Sequence, residues 1–248
     1  MSTFLWVIVP YLCLATFVVG HVWRYRYDRF GWTTRSSQLY ESSLLRIGSP
    51  LFHFGMLGVV AGHIIGLLVP ESWTDAVGIT PHLYHQVAII GGLIFGGMAL
   101  VGMIILIYRR RTVGPVFSAT TTMDKVMYVF LGAAIVLGMW NTIASSVLSI
   151  GGEYDYREGV SVWYRSFLAF QPRPELMAAA PLGFQLHALV AFGLFAMWPF
   201  TRLVHVFSAP VGYLTRPYIV YRSRDAVTSA PGTRAPARAW ERVERPSR

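Results

Sequence analysis

The run of residues 49–70 constrains the fold more than any other part of the sequence, because its 22 residues include no Asp, Glu, Lys or Arg. About 20 apolar residues are enough for a helix to cross the hydrocarbon core of a bilayer. Ser49 can cap such a helix, Pro50 suits its first position, and Pro70 is expected to end it. The pattern therefore predicts a membrane-spanning helix over residues 49–70.

This predicted helix carries two histidines, His53 and His63, in its apolar interior. An ionisable side chain inside a membrane is costly unless it is paired, so it indicates a functional site. A second apolar stretch, residues 182–207, has the same feature with His187 and His205. A single histidine could simply hydrogen-bond to a neighbouring helix. Two histidines on each of two helices match the axial ligands of two b hemes.

Composition supports a membrane protein and excludes several kinds of site. The sequence is 54% hydrophobic, and its mean hydropathy of +0.47 is typical of an integral membrane protein. Cys13 is the single cysteine, so an intrachain disulfide and Cys-based zinc or iron–sulfur sites are excluded. The net charge of +9 does not indicate nucleic acid binding, because the basic residues cluster at predicted membrane boundaries.

Together with four other apolar runs, three local features predict an all-α integral membrane protein with five transmembrane helices. Thr121 and Asp124 predict a capping box at the start of the fourth helix. Pro199 predicts a kink in the fifth. Trp163, Tyr164 and Phe167 predict a short helix at the membrane interface. The other four apolar runs are residues 4–22, 86–108, 125–150 and 182–207.

The distribution of Lys and Arg predicts the orientation. Of the 21 basic residues, 18 lie in residues 23–48, in residues 109–125 and from residue 202 onward, whereas the opposite loops hold three. The positive-inside rule then places the N-terminus outside and the C-terminus inside. The basic face is expected to attract anionic membrane lipid. Residues 1–222 are predicted to form the membrane domain, and residues 223–248 a disordered cytoplasmic tail.

Orientation also predicts how the four histidines pair. The second and fifth helices are antiparallel, so His63 and His187 meet near the outer side and His53 and His205 near the inner side. The two b hemes are therefore expected between helices 2 and 5, with the outer heme iron on the first pair and the inner heme iron on the second. The two histidines are spaced differently on the second helix and on the fifth. Helix tilt and the Pro199 kink are expected to compensate for this difference.

Arginines near the inner ends of the helices are candidates to bind heme propionates. Arg202 is the preferred candidate, because it lies one turn before His205 on what is predicted to be the same helix. The alternative is that these arginines only follow the positive-inside rule. The other candidates are Arg35, Arg109, Arg110, Arg111 and Arg216.

Two hemes stacked across a membrane carry electrons, and a membrane donor of electrons and protons is a quinol. Gly62 removes bulk beside His63, so the quinol pocket is expected there, near the outer ends of the second and third helices. His82 and His85 are candidate proton acceptors, although they could instead be ordinary exposed loop histidines. No nucleophile, carboxylate cluster or nucleotide-binding loop indicates further chemistry.

Three segments resemble the gamma subunit, a diheme cytochrome b, of membrane-bound respiratory nitrate reductase: LFHFGMLGVVAGHIIGLLVP, SATTTMDK and FTRLVHVFSAPVGYLTR. The resemblance covers roughly residues 4–222. It implies a subunit of quinol:nitrate oxidoreductase in the bacterial inner (plasma) membrane that oxidises menaquinol or ubiquinol. Electrons would pass to an iron–sulfur beta subunit and then to a molybdenum-containing alpha subunit, where nitrate becomes nitrite.

The resemblance also implies site residues. The family's heme ligands map onto His53, His63, His187 and His205, and Gly62 maps onto a quinol-site position. Members of the family have a lysine near the position of Leu83, so the proton acceptor here is expected to differ. Two alternatives stay open: the same diheme subunit serving a different cytoplasmic reductase, and a non-redox membrane transporter or anchor.

Overall fold

The computed structural model describes residues 1–28, 30–32, 37–148, 150, 154–208 and 215. The chain divides into two units, Met1–Ala209 and Pro210–Arg248, and the account below concerns the first. Every regular element of the described residues is helical. The predicted domain boundary between residues 222 and 223, and the tail after it, lie outside the described residues and stay predictions.

Five helices are long and apolar enough to cross a membrane, which confirms the predicted number. They are α1 (Val9–Tyr27, preceded by a π-helical turn Phe4–Ile8), α2 (Ser43–Leu68), α4 (Pro81–Thr112), α6 (Thr122–Asn141, continued by a π-helical turn Thr142–Val147) and α9 (Leu182–Met197). Short helices connect them: α3 (Glu71–Ala76), α5 (Gly114–Ser118), α7 (Val160–Leu168) and α8 (Pro174–Ala178).

The second helix begins earlier than predicted. The sequence placed its start at Ser49, but α2 begins at Ser43 and contains Pro50 in its interior. The side chain of Glu41 accepts a hydrogen bond from the backbone N–H of Leu44 at 2.7 Å, so a carboxylate caps this helix. Pro50 removes one backbone hydrogen bond inside this helix.

The predicted capping box of the fourth helix is confirmed. The Thr121 hydroxyl accepts the backbone N–H of Asp124 at 3.1 Å, and the Asp124 carboxylate accepts the backbone N–H of Thr121 at 3.0 Å. This reciprocal pair satisfies two N–H groups that lack partners at a helix start. It also fixes the position of the Asp124 side chain at the start of α6.

The fifth helix is broken and not merely kinked. The α-helical part, α9, ends at Met197, and a 3-10 turn Trp198–Phe200 follows. Thr201 is extended, with φ −114° and ψ 175°, and a second 3-10 turn, Arg202–Val206, then carries His205. The expectation that Arg202 and His205 belong to the same helix as His187 is therefore wrong. The backbone changes from helical to extended at Thr201, so α9 does not continue to His205.

Helices α2 and α4 pack together through glycines. A Cβ at Gly55 would lie 2.8 Å from the carbonyl oxygen of Phe95 and would overlap the backbone nitrogen of Ala99. A Cβ at Gly102 would overlap the backbone nitrogen of Phe52. Backbones of membrane helices approach this closely only where residues are small. The contact holds in place the helix that carries His53 and His63.

We expect Gly55→Ala to destabilise the protein by about 1–3 kcal/mol, because the added methyl group overpacks a rigid backbone contact. Thermal unfolding of the purified protein in detergent measures this loss. Gly97→Ala on α4 is the matched control, because a Cβ there meets no atom within 4 Å. That control should be neutral or stabilising by up to about 1 kcal/mol. Equal loss of stability in both variants would contradict the assigned packing.

The helix predicted at the membrane interface exists as α7 but is buried. Trp163 and Phe167 are 1% and 2% exposed and pack with Trp6 and Phe192 in one hydrophobic cluster. The indole N–H of Trp163 donates to the carbonyl oxygen of Trp6 at 3.0 Å. Both aromatic rings are therefore buried in protein contacts, and the placement of α7 at the membrane interface stays a prediction.

Candidate functional site

The imidazole rings of His63 on α2 and His187 on α9 face each other. Their ring centroids are 5.9 Å apart, and the ring planes are inclined by 28°. His187 packs against Gly138 on α6, where a Cβ would lie 3.2 Å from the ring carbon Cε1. A larger residue than glycine at position 138 would therefore press against this ring.

A second pair consists of His53 on α2 and His205 on the turn after the break. These ring centroids are also 5.9 Å apart, with ring planes inclined by 70°. The structure therefore brings the four histidines together in the two combinations that the sequence predicts. His53 lies ten residues before His63, so the pairs are separated by about 15 Å along α2 at 1.5 Å per residue.

Three of the four histidines are anchored through Nδ1 to a backbone carbonyl of their own helix or turn. The distances are 2.7 Å from His53 to Ser49, 2.8 Å from His63 to Val59 and 2.6 Å from His205 to Arg202. A carbonyl only accepts hydrogen bonds, so Nδ1 carries the hydrogen and Nε2 keeps a free lone pair. This arrangement is typical of metal-binding histidines. The Nδ1 atom of His187 is buried and makes no such bond to its own helix; its backbone partner is Ala134 on α6.

The separation within each pair fits one metal between two imidazoles. Metal–nitrogen bonds of about 2.0 Å on both sides, with the ring radii added, place the two centroids about 6 Å apart. Within the described part of the chain, no group of three or more His, Cys, Asp or Glu side chains could hold a metal ion. Two protein ligands alone suit a metal that brings its own equatorial ligands, as heme iron does.

Arg202 has a carboxylate partner that sequence reasoning overlooked. Its Nε and Nη2 donate to the two oxygens of Asp124 at 2.7 and 2.6 Å. The Asp124 side chain is 7% exposed and that of Arg202 is 19% exposed, so the ion pair is largely buried. The sequence indicated Asp124 only as a capping residue. The ion pair ties the turn that carries His205 to the start of α6.

The other propionate candidates also have protein partners where they are described. Arg109 is 1% exposed and bonds Glu41 at 2.6 Å, and Arg110 bonds the Tyr128 hydroxyl at 2.8 Å. Arg111 lies over the ring of Phe117. Arg35 and Arg216 lie outside the described residues.

The quinol-site candidates lie on α2 and at the start of α4. A Cβ at Gly62 would meet nothing within 4 Å, so the space beside His63 is open. His82 and His85 are exposed, and His82 lies 3.4 Å from the side chain of Gln86. Among the described contacts, neither of them touches His63.

A polar cluster at the end of α2 was missed by sequence reasoning. The hydroxyls of Tyr84 and Tyr156 are 3.1 Å apart, and a Cβ at Gly66 would lie 3.0 Å from the Tyr156 hydroxyl. Burial raises the pKa of Tyr156, and the hydrogen bond with Tyr84 adds to this, so its hydroxyl stays neutral. Arg157 stacks on the Tyr84 ring at 3.9 Å. The only sign of this cluster in the sequence was Arg157, one of the three basic residues in the loops opposite the basic face.

These features define an all-helical membrane protein with two facing histidine pairs, each joining its second helix to its fifth span. A sequence profile described as nitrate reductase gamma subunit matches residues 2–224. The chain belongs to this family. The resemblance stated from the sequence is thereby confirmed.

Individual relatives agree with the profile. The chain is 42% identical to the nitrate reductase gamma chain of Bacillus subtilis over 224 residues, 89% of this chain and 97% of the relative. It is 34% identical to the respiratory nitrate reductase 2 gamma chain of Escherichia coli over 225 residues, which are 90% of this chain and 98% of the relative. It is also 57% identical over 240 residues to the nitrate reductase-like protein NarX of Mycobacterium tuberculosis, 97% of this chain. The chain spans about a third (36%) of that longer protein.

Proposed function

We propose that this chain is the membrane-anchoring, electron-transfer subunit of a respiratory nitrate reductase. It oxidises quinol near the outer face of the membrane and delivers electrons through two b hemes to an iron–sulfur subunit. The observation that carries this proposal is the pair of facing imidazoles, with ring centroids 5.9 Å apart, at two levels between α2 and the fifth span. Family membership supports it independently.

Each histidine pair has a defined task in this proposal. His63 and His187 would hold the outer heme iron, and His53 and His205 would hold the inner one. Heme supplies reversible one-electron chemistry at iron when it is bound. The Nδ1–H bonds to Ser49, Val59 and Arg202 orient three of the ligand rings and raise their basicity.

Quinol oxidation releases protons as well as electrons, and the chain has groups for both tasks. The open space at Gly62 admits a ring beside His63. His82 and His85 are exposed and can take up protons and pass them to the outer solution. Leu83 offers no such group, so one of these two histidines replaces the lysine of other family members. The substrate is menaquinol or ubiquinol.

Membership of the gamma subunit family supports the proposed partners. An iron–sulfur beta subunit takes the electrons at the inner face, and a molybdenum-containing alpha subunit reduces nitrate to nitrite. The N-terminus lies outside and the C-terminus inside the bacterial plasma membrane, because 18 of the 21 basic residues lie on one side. The basic face also contacts anionic lipid.

The first test is a dithionite-reduced minus oxidised spectrum of the purified chain, with heme quantified per polypeptide. We expect two b hemes, which re-oxidise when nitrate is added to membranes that hold the partner subunits. Two hemes that stay reduced when nitrate is added would assign the chain to a different cytoplasmic reductase. A protein without heme would be a transporter or an anchor, and the proposal would be wrong.

A further inference from the structure

The end of α2 that lies beyond His63 is capped by three side chains from one short segment. Ser161 donates to the carbonyl of Gly66 at 2.8 Å, Arg165 to that of Leu67 at 3.2 Å, and Arg157 to that of Val69 at 3.2 Å. The last carbonyls of a helix lack backbone partners and carry the negative end of its dipole. Two cations therefore lie at the end of the helix that presents His63.

Arg157 is a buried cation. It is 6% exposed, its Nη1 donates to the Thr74 hydroxyl at 3.1 Å, and its guanidinium lies 3.9 Å from the centre of the Tyr84 ring. These partners, with the Val69 carbonyl, are all neutral. Its Nε atom is buried with no hydrogen-bond partner among the described atoms. The Asp155 side chain is exposed and accepts the backbone N–H of Arg157 at 2.7 Å.

The positive charge of Arg157 acts on its surroundings. Burial lowers the pKa of Arg165, and the charge of Arg157 lowers it further. Val69, which accepts from Arg157, lies six residues after His63, a rise of about 9 Å along the helix. A unit charge at this range is weakly screened where water is excluded. The potential of a bound heme depends on such charges and on the polarity around it.

We propose that Arg157 raises the reduction potential of the group held by His63 and His187, and so favours the transfer of electrons from quinol to that pair. The physical reason is that the oxidised iron carries one more positive charge than the reduced iron, and a nearby cation disfavours the oxidised form. This inference rests on the proposed function. Arg157 acts through space and through the helix end, as a positioning residue, and does not touch the substrate.

The test is a potentiometric titration of both hemes in membranes that hold the complete complex. Comparison with His63→Ala assigns the two hemes. We expect Arg157→Gln to lower the midpoint potential of the outer heme and to leave the inner one unchanged. Arg157→Lys should keep most of the potential because it keeps the charge. Thr74→Val is the matched control. It removes a hydrogen bond of Arg157 but no charge, so it should not shift the midpoint potential of either heme.

Several outcomes would overturn the inference. An outer potential that is unchanged in Arg157→Gln, with both hemes present, would make Arg157 a structural cap only. A shift in Thr74→Val as large as in Arg157→Gln would have the same meaning. If Arg157→Gln does not assemble, Arg165→Gln provides a second test, with a smaller shift expected in the same direction, and no shift there would also overturn it. A wild-type complex without heme would instead refute the proposed function.

Discussion

Replacing His187 by alanine is expected to remove one of the two b hemes from the purified complex and to abolish quinol oxidation. The reason is that His63 and His187 face each other with ring centroids 5.9 Å apart, and a single remaining imidazole would leave the heme iron only one protein ligand. His63→Ala should give the same result. Heme content per polypeptide and the reduced-minus-oxidised spectrum measure the loss.

The second histidine pair provides the internal comparison. His53→Ala and His205→Ala should each remove the other heme and stop delivery of electrons to the partner subunit. His82→Ala is the control for heme content, because its exposed ring faces no other histidine among the described contacts, and it should retain both hemes. If His63→Ala and His205→Ala removed the same heme, the assigned pairing would be wrong.

Asp124→Ala is expected to destabilise the protein by about 3 kcal/mol. Breaking a buried ion pair costs on the order of 3–5 kcal/mol, and the lower value applies because the Arg202 side chain keeps 19% of its surface exposed. The freed Arg202 also carries the carbonyl that accepts from Nδ1 of His205. We therefore expect weaker retention of the inner heme as well as a lower unfolding temperature in detergent.

Thr121→Val separates the two roles of Asp124. It removes the hydroxyl that accepts the N–H of Asp124 but leaves the ion pair with Arg202 intact, so only the cap is lost, at about 1 kcal/mol. If Asp124→Ala lowers the free energy of unfolding by no more than Thr121→Val does, the ion pair contributes little to stability. Arg202→Ala and the double variant complete a thermodynamic cycle that isolates the pair.

The polar residues near the inner side show where sequence reasoning is strong and where it is weak. The capping box of Thr121 and Asp124 was predictable because its partners are three residues apart and the interaction is local. The partner of Arg202 was not, because Asp124 is 78 residues away in the sequence. A sequence pattern carries the preference of a residue for a helix start but does not state which distant cation approaches it.

The aromatic residues of α7 give a second example. An amphipathic segment with Trp163 and Phe167 has the composition of an interfacial helix, and local pattern alone does not separate that case from burial. The two rings are buried because Trp6 and Phe192, from opposite ends of the chain, surround them. Contacts of this range depend on how the long helices assemble.

By itself the sequence determined an all-helical membrane protein with five spans, its family, and the four histidines on the second and fifth spans. The spans and the histidines follow from apolar run length and from the cost of placing imidazole in hydrocarbon, and both are local properties. The family follows from the resemblance of three segments. The tertiary structure decided the start of α2 at Ser43, the break at Thr201, and the partners of Arg202 and Arg157. The partners of Arg202 and Arg157 lie 78 and 88 residues away, so the pattern of a single segment does not contain them. The Glu41 cap at the start of α2 is a local contact that sequence reasoning overlooked.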